Sequence, residues 1–176
     1  MDDAELARRL RGQALLEGDF VLRSGRRSPY YLDKYRFETD PVLLRVLGER
    51  IATLAAERAP GATRLAGPEL GAVALVAAAS LASGLPFLIV RKEQKGYGTE
   101  KRLEGAYAPG EEICLVEDVV TTGGAAVEAV EALRAAELVC RVAICVVDRD
   151  EGGADALARV GVRLVPILHA EQVIAG

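Results

Sequence analysis

The chain has 176 residues, 51% of them hydrophobic, the length and apolar content of one ordinary domain with a substantial core. Its 22 lysines and arginines against 26 aspartates and glutamates leave a net charge of −4, which argues against a general affinity for nucleic-acid backbone and makes any cationic site local. Apolar stretches such as 72–79 fall short of a membrane span, and Arg8, Arg9 and Arg11 break the segment 6–16 where a signal-peptide core would lie, so a cytoplasmic protein without membrane or nucleic-acid partners is expected.

Asp3 to Leu16 sets Leu6, Leu10 and Leu15 among charges, which predicts an amphipathic helix. Two short extended pieces follow, Phe20 to Leu22 and Tyr30 to Asp33, separated by the turn-forming Ser24-Gly25 and Ser28-Pro29. Asp40-Pro41 reads as an N-cap with proline at the first helical position, and Leu43, Leu44, Leu47, Ile51 and Leu54 keep helical spacing behind it. The order then becomes strand, helix, strand: Arg64 to Ala66, Leu70 to Leu81, and Phe87 to Val90 after the Gly84-Leu85-Pro86 break. Ile113 to Val116 is a short apolar strand, and Ala125 to Ala136 a helix with Ala126, Val127, Val130 and Leu133 on one face. Val142 to Val147, Ala154 to Val160 and Val162 to Leu168 repeat the alternation, and no repeat, low-complexity tract or linker divides the chain.

Continuous apolar strands alternating with helices predict an α/β fold with a mostly parallel sheet covered on both faces. Ligands of such sheets bind at the carboxyl ends of the strands, here after Ala66, Val90, Val116 and Val147. Cys114, Cys140 and Cys145 lie in apolar runs and are odd in number, so they read as buried thiols; one histidine, His169, and no paired cysteines leave no zinc pattern.

The chemistry concentrates after the strand Ile113 to Val116, in Glu117-Asp118-Val119-Val120-Thr121-Thr122-Gly123-Gly124-Ala125. Gly123 and Gly124 let the backbone approach a ligand, while Thr121 and Thr122 add hydroxyl donors beside the free amides of a helix N-terminus. Each amide aimed at a phosphate dianion makes a charge-assisted bond of about 1.5–3 kcal/mol. Glu117 and Asp118 would repel that phosphate and suit ribose hydroxyls or a hydrated metal ion instead. An acid pair followed by an anion nest describes a site for a sugar with hydroxyls at one end and phosphate at the other. A bare Thr-Thr-Gly-Gly alone would be an ordinary strand-to-helix turn. Neither the nucleotide-triphosphate loop nor the dinucleotide glycine pattern occurs in the chain.

The segment resembles the fingerprint for 5-phosphoribosyl 1-pyrophosphate of the type I phosphoribosyltransferases. Three further segments are similar to those of the orotate-specific branch: Phe20-Val21-Leu22-Arg23-Ser24-Gly25-Arg26-Arg27-Ser28-Pro29-Tyr30-Tyr31, Arg91-Lys92-Glu93-Gln94-Lys95-Gly96-Tyr97-Gly98, and Val147-Asp148-Arg149-Asp150-Glu151-Gly152-Gly153. The resemblance implies a type I phosphoribosyltransferase fold over 1–176, with about 1–36 contributing to a small N-terminal hood and 91–105 forming a mobile catalytic loop. It implies Mg²⁺-dependent transfer of phosphoribose to orotate, giving orotidine 5′-monophosphate and pyrophosphate in pyrimidine biosynthesis. It also implies a homodimer with shared active sites, in which Lys95 serves the neighbouring site.

By the same resemblance, Lys95 and Asp118 are catalytic. Arg91, Lys92, Lys95 and Tyr97 face pyrophosphate, Glu117 and Asp118 the ribose hydroxyls, and Val119, Val120, Thr121, Thr122, Gly123, Gly124 and Ala125 the 5′-phosphate. Thr121 and Arg149 fall to orotate, with Arg23, Tyr30 and Tyr31 as further substrate contacts. Magnesium is held mainly by the substrate, through water to Glu117 and Asp118. On residues alone, 91–105 is a solvated charged loop and Arg149 a surface ion pair with Asp148 or Asp150. A growing pyrophosphate charge gives those cations a task.

The chain departs from the family pattern at several positions. Tyr97 stands where many members have histidine, Gly67-Pro68-Glu69-Leu70-Gly71 lacks the lysine some carry in their pyrophosphate loop, Arg23 replaces lysine, and Gly124 gives up a hydroxyl. Two alternatives stay open: transfer to uracil or a purine, and a non-catalytic regulator that binds the sugar pyrophosphate.

Overall fold

The structure, a computed structural model, describes residues 1–21, 25, 27–92 and 102–175. The chain opens with α1 (Asp3–Ala14), capped by the Asp2 carboxylate on the Glu5 amide, and passes directly into the hairpin β1 (Leu15–Val21) and β2 (Arg27–Leu32). The expected helix to Leu16 is two residues too long, because Leu15 and Leu16 pair with Leu32 and Tyr31 across the hairpin. Helical periodicity cannot register that partner, whose contribution comes from a later segment.

The short α2 (Lys34–Glu38) follows, then α3 (Pro41–Arg58), where the Asp40 carboxylate accepts the Val42 and Leu43 amides and Pro41 sits in the first turn. Next come β3 (Arg64–Pro68), α4 (Gly71–Ser83), β4 (Phe87–Val90) and a two-residue strand β5 (Leu103–Glu104). The last elements are β6 (Glu112–Val120), α5 (Gly124–Ala135), β7 (Val139–Asp148), α6 (Gly153–Arg159), β8 (Arg163–His169) and α7 (Ala170–Ala175). α2, β5 and α7 are too short to leave a period in the sequence.

The main sheet runs β5-β4-β3-β6-β7-β8, parallel throughout except for the antiparallel edge β5. Period two divides its strands between two cores. Cys114, Val116 and Ile144 pack with α1, α3 and α4 on one face; Ile113, Leu115 and Ala143 pack with α5 and α6 on the other. Each wholly buried leucine, such as Leu47 or Leu133, contributes about 1.5–3 kcal/mol by leaving water. The α/β sheet covered on both faces is therefore as expected. All three cysteines are buried and free, and burial pushes the Cys114 thiol up to about 12. Among the described residues no helix is long and apolar enough to cross a membrane.

Candidate functional site

Strand β6 is longer than its apolar run suggests. Val119 and Val120 continue the ladder against Val147 and Asp148, so Glu117 and Asp118 lie inside the strand rather than in the loop beyond it. Both are nearly buried, Glu117 at 6% and Asp118 at 3% exposure. Burial, and then the neighbouring Asp118, pushes the Glu117 carboxyl up to about 8. Its Oε1 has no hydrogen-bond partner among the described residues.

Two residues of the unforeseen helix α2 complete this acidic floor. Lys34 Nζ lies 2.5 Å from Asp118 Oδ2. Burial alone would lower the ammonium's pKa, but the Asp118 and Glu38 carboxylates outweigh it and hold Lys34 protonated. Glu38 is buried, its Oε1 is likewise unpartnered, and desolvation followed by Asp118 pushes it up to about 8. Three nearly buried carboxyls around one ammonium resist ionising together, because like charges repel where water is excluded. Gly71, first residue of α4, closes the floor: a Cβ there would stand 1.7 Å from Asp118 Oδ2 and 2.7 Å from Lys34 Nζ.

Beyond Val120 the chain turns through exposed Thr121 and Thr122 to Gly123, which takes φ +81° as the N-cap of α5. That left-handed conformation suits glycine, and among the described residues no side chain caps the helix, leaving its first amides available to a ligand. Gly124 and Ala125 are exposed beside them. The turn is held from below by α6: a Cβ on Gly153 would meet Val120 Cγ1 at 2.3 Å and the Thr121 carbonyl at 2.7 Å. The site therefore combines an acid pair with an uncapped helix N-terminus, an arrangement matched to a phosphorylated sugar.

Arg149 begins the next turn, its N–H donating to the Val120 carbonyl at 2.9 Å. Its side chain is only 9% exposed and pairs through Nε with Glu151 at 3.0 Å, so the surface ion pair with Asp148 or Asp150 is corrected. The guanidinium lies 5.2 Å from the centroid of the Tyr30 ring, with NH2 donating to the Tyr30 hydroxyl at 3.4 Å. Tyr30 thus brings the hairpin over the carboxyl end of β7. Tyr31 points elsewhere: it is 42% exposed and packs on Phe20 at 5.7 Å between ring centroids.

At the end of β4, the Arg91 N–H donates to the Arg102 carbonyl at 2.7 Å, bringing together the two ends of the intervening segment. Glu69 binds this junction, accepting the Lys92 amide at 2.8 Å and lying 3.8 Å from the Arg91 guanidinium. Lys95, Tyr97 and Arg23 lie outside the described residues. Asp148, Asp150 and His169 set one ligand atom each within 4.8 Å of one another, but the exposed His169 ring already pairs with Asp150 at 2.9 Å, and the Asp150 amide occupies Asp148. Sequence reasoning missed Lys34 and Glu38, and it placed Glu69 and Gly71 only within the segment Gly67 to Gly71, with no individual role. The one available signal was that buried Asp118 would require a cation, and nothing in residue spacing says which.

No family model matches the chain. The orotate phosphoribosyltransferase of Methanocella arvoryzae is 47% identical over 173 residues, 98% of this chain and 97% of that protein. Among solved structures, the orotate phosphoribosyltransferase of Aeropyrum pernix superposes with TM-score 0.85 at 34% identity, covering 98% of this chain and 96% of that one. That of Mycobacterium tuberculosis, in complex with 5-phospho-alpha-D-ribosyl 1-diphosphate, gives TM-score 0.82 at 29% identity over 98% and 99% of the two chains. The fold is that of the type I phosphoribosyltransferases. Sharing 47% identity across nearly its full length with a named member, the chain belongs to the orotate phosphoribosyltransferase family.

Proposed function

We propose that this chain transfers the 5-phosphoribosyl group from phosphoribosyl pyrophosphate to orotate, releasing orotidine 5′-monophosphate and pyrophosphate in the pyrimidine pathway. The observation that carries the reading is the acid pair Glu117-Asp118 leading into the uncapped N-terminus of α5, with Arg149 one strand away. Ribose hydroxyls bind Glu117 and Asp118, and the 5′-phosphate binds the amides and hydroxyls of Thr121 to Ala125, framed by Val119 and Val120. Arg149 offers a planar fork of donors to the orotate carboxylate, with Thr121, Tyr30, Tyr31 and Arg23 as further contacts.

Bond cleavage at the anomeric carbon builds negative charge on the departing diphosphate, and positioned cations meet it. Arg91 and Lys92 supply part of that charge, and Lys95 with Tyr97 the rest, in a loop that also excludes water. The unpartnered Glu117 oxygen and the Asp118 carboxylate fit a hydrated Mg²⁺ carried by the substrate. Bound there, the ion would neutralise diphosphate charge. Little acid–base chemistry is required, so positioning and electrostatics supply most of the rate. A homodimer in which Lys95 reaches the partner's site, in the cytoplasm, completes the proposal.

Mixing the protein with orotate, phosphoribosyl pyrophosphate and Mg²⁺ should deplete orotate's ultraviolet absorbance. Turnover of uracil or a purine in its place would shift the base specificity, and binding of the sugar pyrophosphate without turnover of any base would make the chain a regulator.

A further inference from the structure

We propose that Lys34 is a diphosphate-binding residue: its ammonium rests on Asp118 in the free protein and turns to the substrate's diphosphate when Asp118 engages the ribose. This deepens the transferase reading and rests on it. The ammonium is only 2.5 Å from Asp118, yet the two side chains differ in access, with 33% of Lys34 exposed against 5% of Asp118. Lys34 therefore lies on the open side of the carboxylate. An ammonium has three donors, and among the described residues Asp118 is the single hydrogen-bond partner of this one.

The place it occupies is specific. Nζ stands 2.7 Å from the position a Cβ on Gly71 would take, at the start of α4, a helix of 13 residues whose N-cap Leu70 brings no side-chain acceptor. The turn leading into that helix, Gly67 to Gly71, contains no cation of its own and one acid, Glu69, which is engaged with Arg91 and the Lys92 amide. Lys34 thus brings positive charge, from a different part of the chain, to a helix entry that has none. A sugar hydroxyl or its accompanying cation arriving on Asp118 competes with the ammonium for the same oxygen. A long lysine stem lets the released charge swing to a neighbouring anion at little cost.

Binding of two fragments separates this from mere neutralisation of Asp118. With Mg²⁺ present, calorimetry would follow pyrophosphate and ribose 5-phosphate on the wild-type chain, Lys34→Met and Lys34→Arg. Lys34→Met should weaken pyrophosphate about tenfold, the loss of one charge-assisted bond. It should leave ribose 5-phosphate within about twofold, and Lys34→Arg should retain most of the pyrophosphate affinity. Unchanged pyrophosphate binding in Lys34→Met, or an equal loss for both fragments, overturns the proposal. A wild-type chain that binds neither fragment is a different failure, which removes the transferase reading itself.

Discussion

Replacing Gly71 by alanine tests the geometry of the acidic floor. The new Cβ would stand 1.7 Å from Asp118 Oδ2 and 2.7 Å from Lys34 Nζ, whereas real Cβ contacts essentially never fall below 3.0 Å. Asp118 sits on a central strand and is 3% exposed, so its carboxylate cannot retreat into solvent. It must turn aside within the floor, and the 2.5 Å bond to Lys34 opens as it does. Its loss costs about 1.5–3 kcal/mol as a hydrogen bond between charged groups. Against that, alanine restricts the unfolded chain and returns about 0.4–1 kcal/mol. The net loss of roughly 0.5–2.5 kcal/mol should lower Tm by about 1–10 °C in a chain of this size. Thermal unfolding followed by circular dichroism reads the stability, and the orotate absorbance assay should show kcat/KM for phosphoribosyl pyrophosphate at least tenfold lower. A variant that melts slightly higher than wild type with unchanged kcat/KM would mean that only the unfolded-state gain operates, and the crowding of Gly71, Lys34 and Asp118 would be refuted.

Arg149→Ala is expected to raise KM for orotate well above its effect on the sugar pyrophosphate, and steady-state kinetics showing equal effects would remove Arg149 from the orotate pocket. Gly153→Ala forces a Cβ against Val120 and the Thr121 carbonyl, so it should weaken ribose 5-phosphate binding by displacing the turn above, as calorimetry would detect. Glu117 titrates near 8 in the fold against 4.5 in the unfolded chain, so its contribution is complete below pH 4.5 and disappears as pH rises to about 8. Denaturant unfolding of Glu117→Gln should therefore gain on wild type from pH 5 to pH 8, by at most about 1.4 kcal/mol per pH unit. A constant difference across that range would show that the folded-state carboxyl is not displaced.

Much of this protein was legible from its residues because the signals are local. Asp40-Pro41 announces α3 by its own capping chemistry, and the run Glu117 to Ala125 carries acids, hydroxyls and glycines in the order a strand-to-helix turn can present them. What lay outside that reach depends on partners far along the chain. The end of β6 at Val120 follows from pairing with β7, and Leu15 leaves its helix because Leu32 pairs with it. Residue types alone make Arg149 a surface ion pair with Asp148 or Asp150, whereas Tyr30, far along the chain, and Glu151 enclose it.

The sequence by itself determined the alternation of elements, the α/β class and the phosphate-binding segment, since side-chain period, turn chemistry and capping act within a few residues. Only the tertiary structure decided which cation meets Asp118, because Lys34 is 84 residues distant and the choice depends on how α2 lies across the sheet.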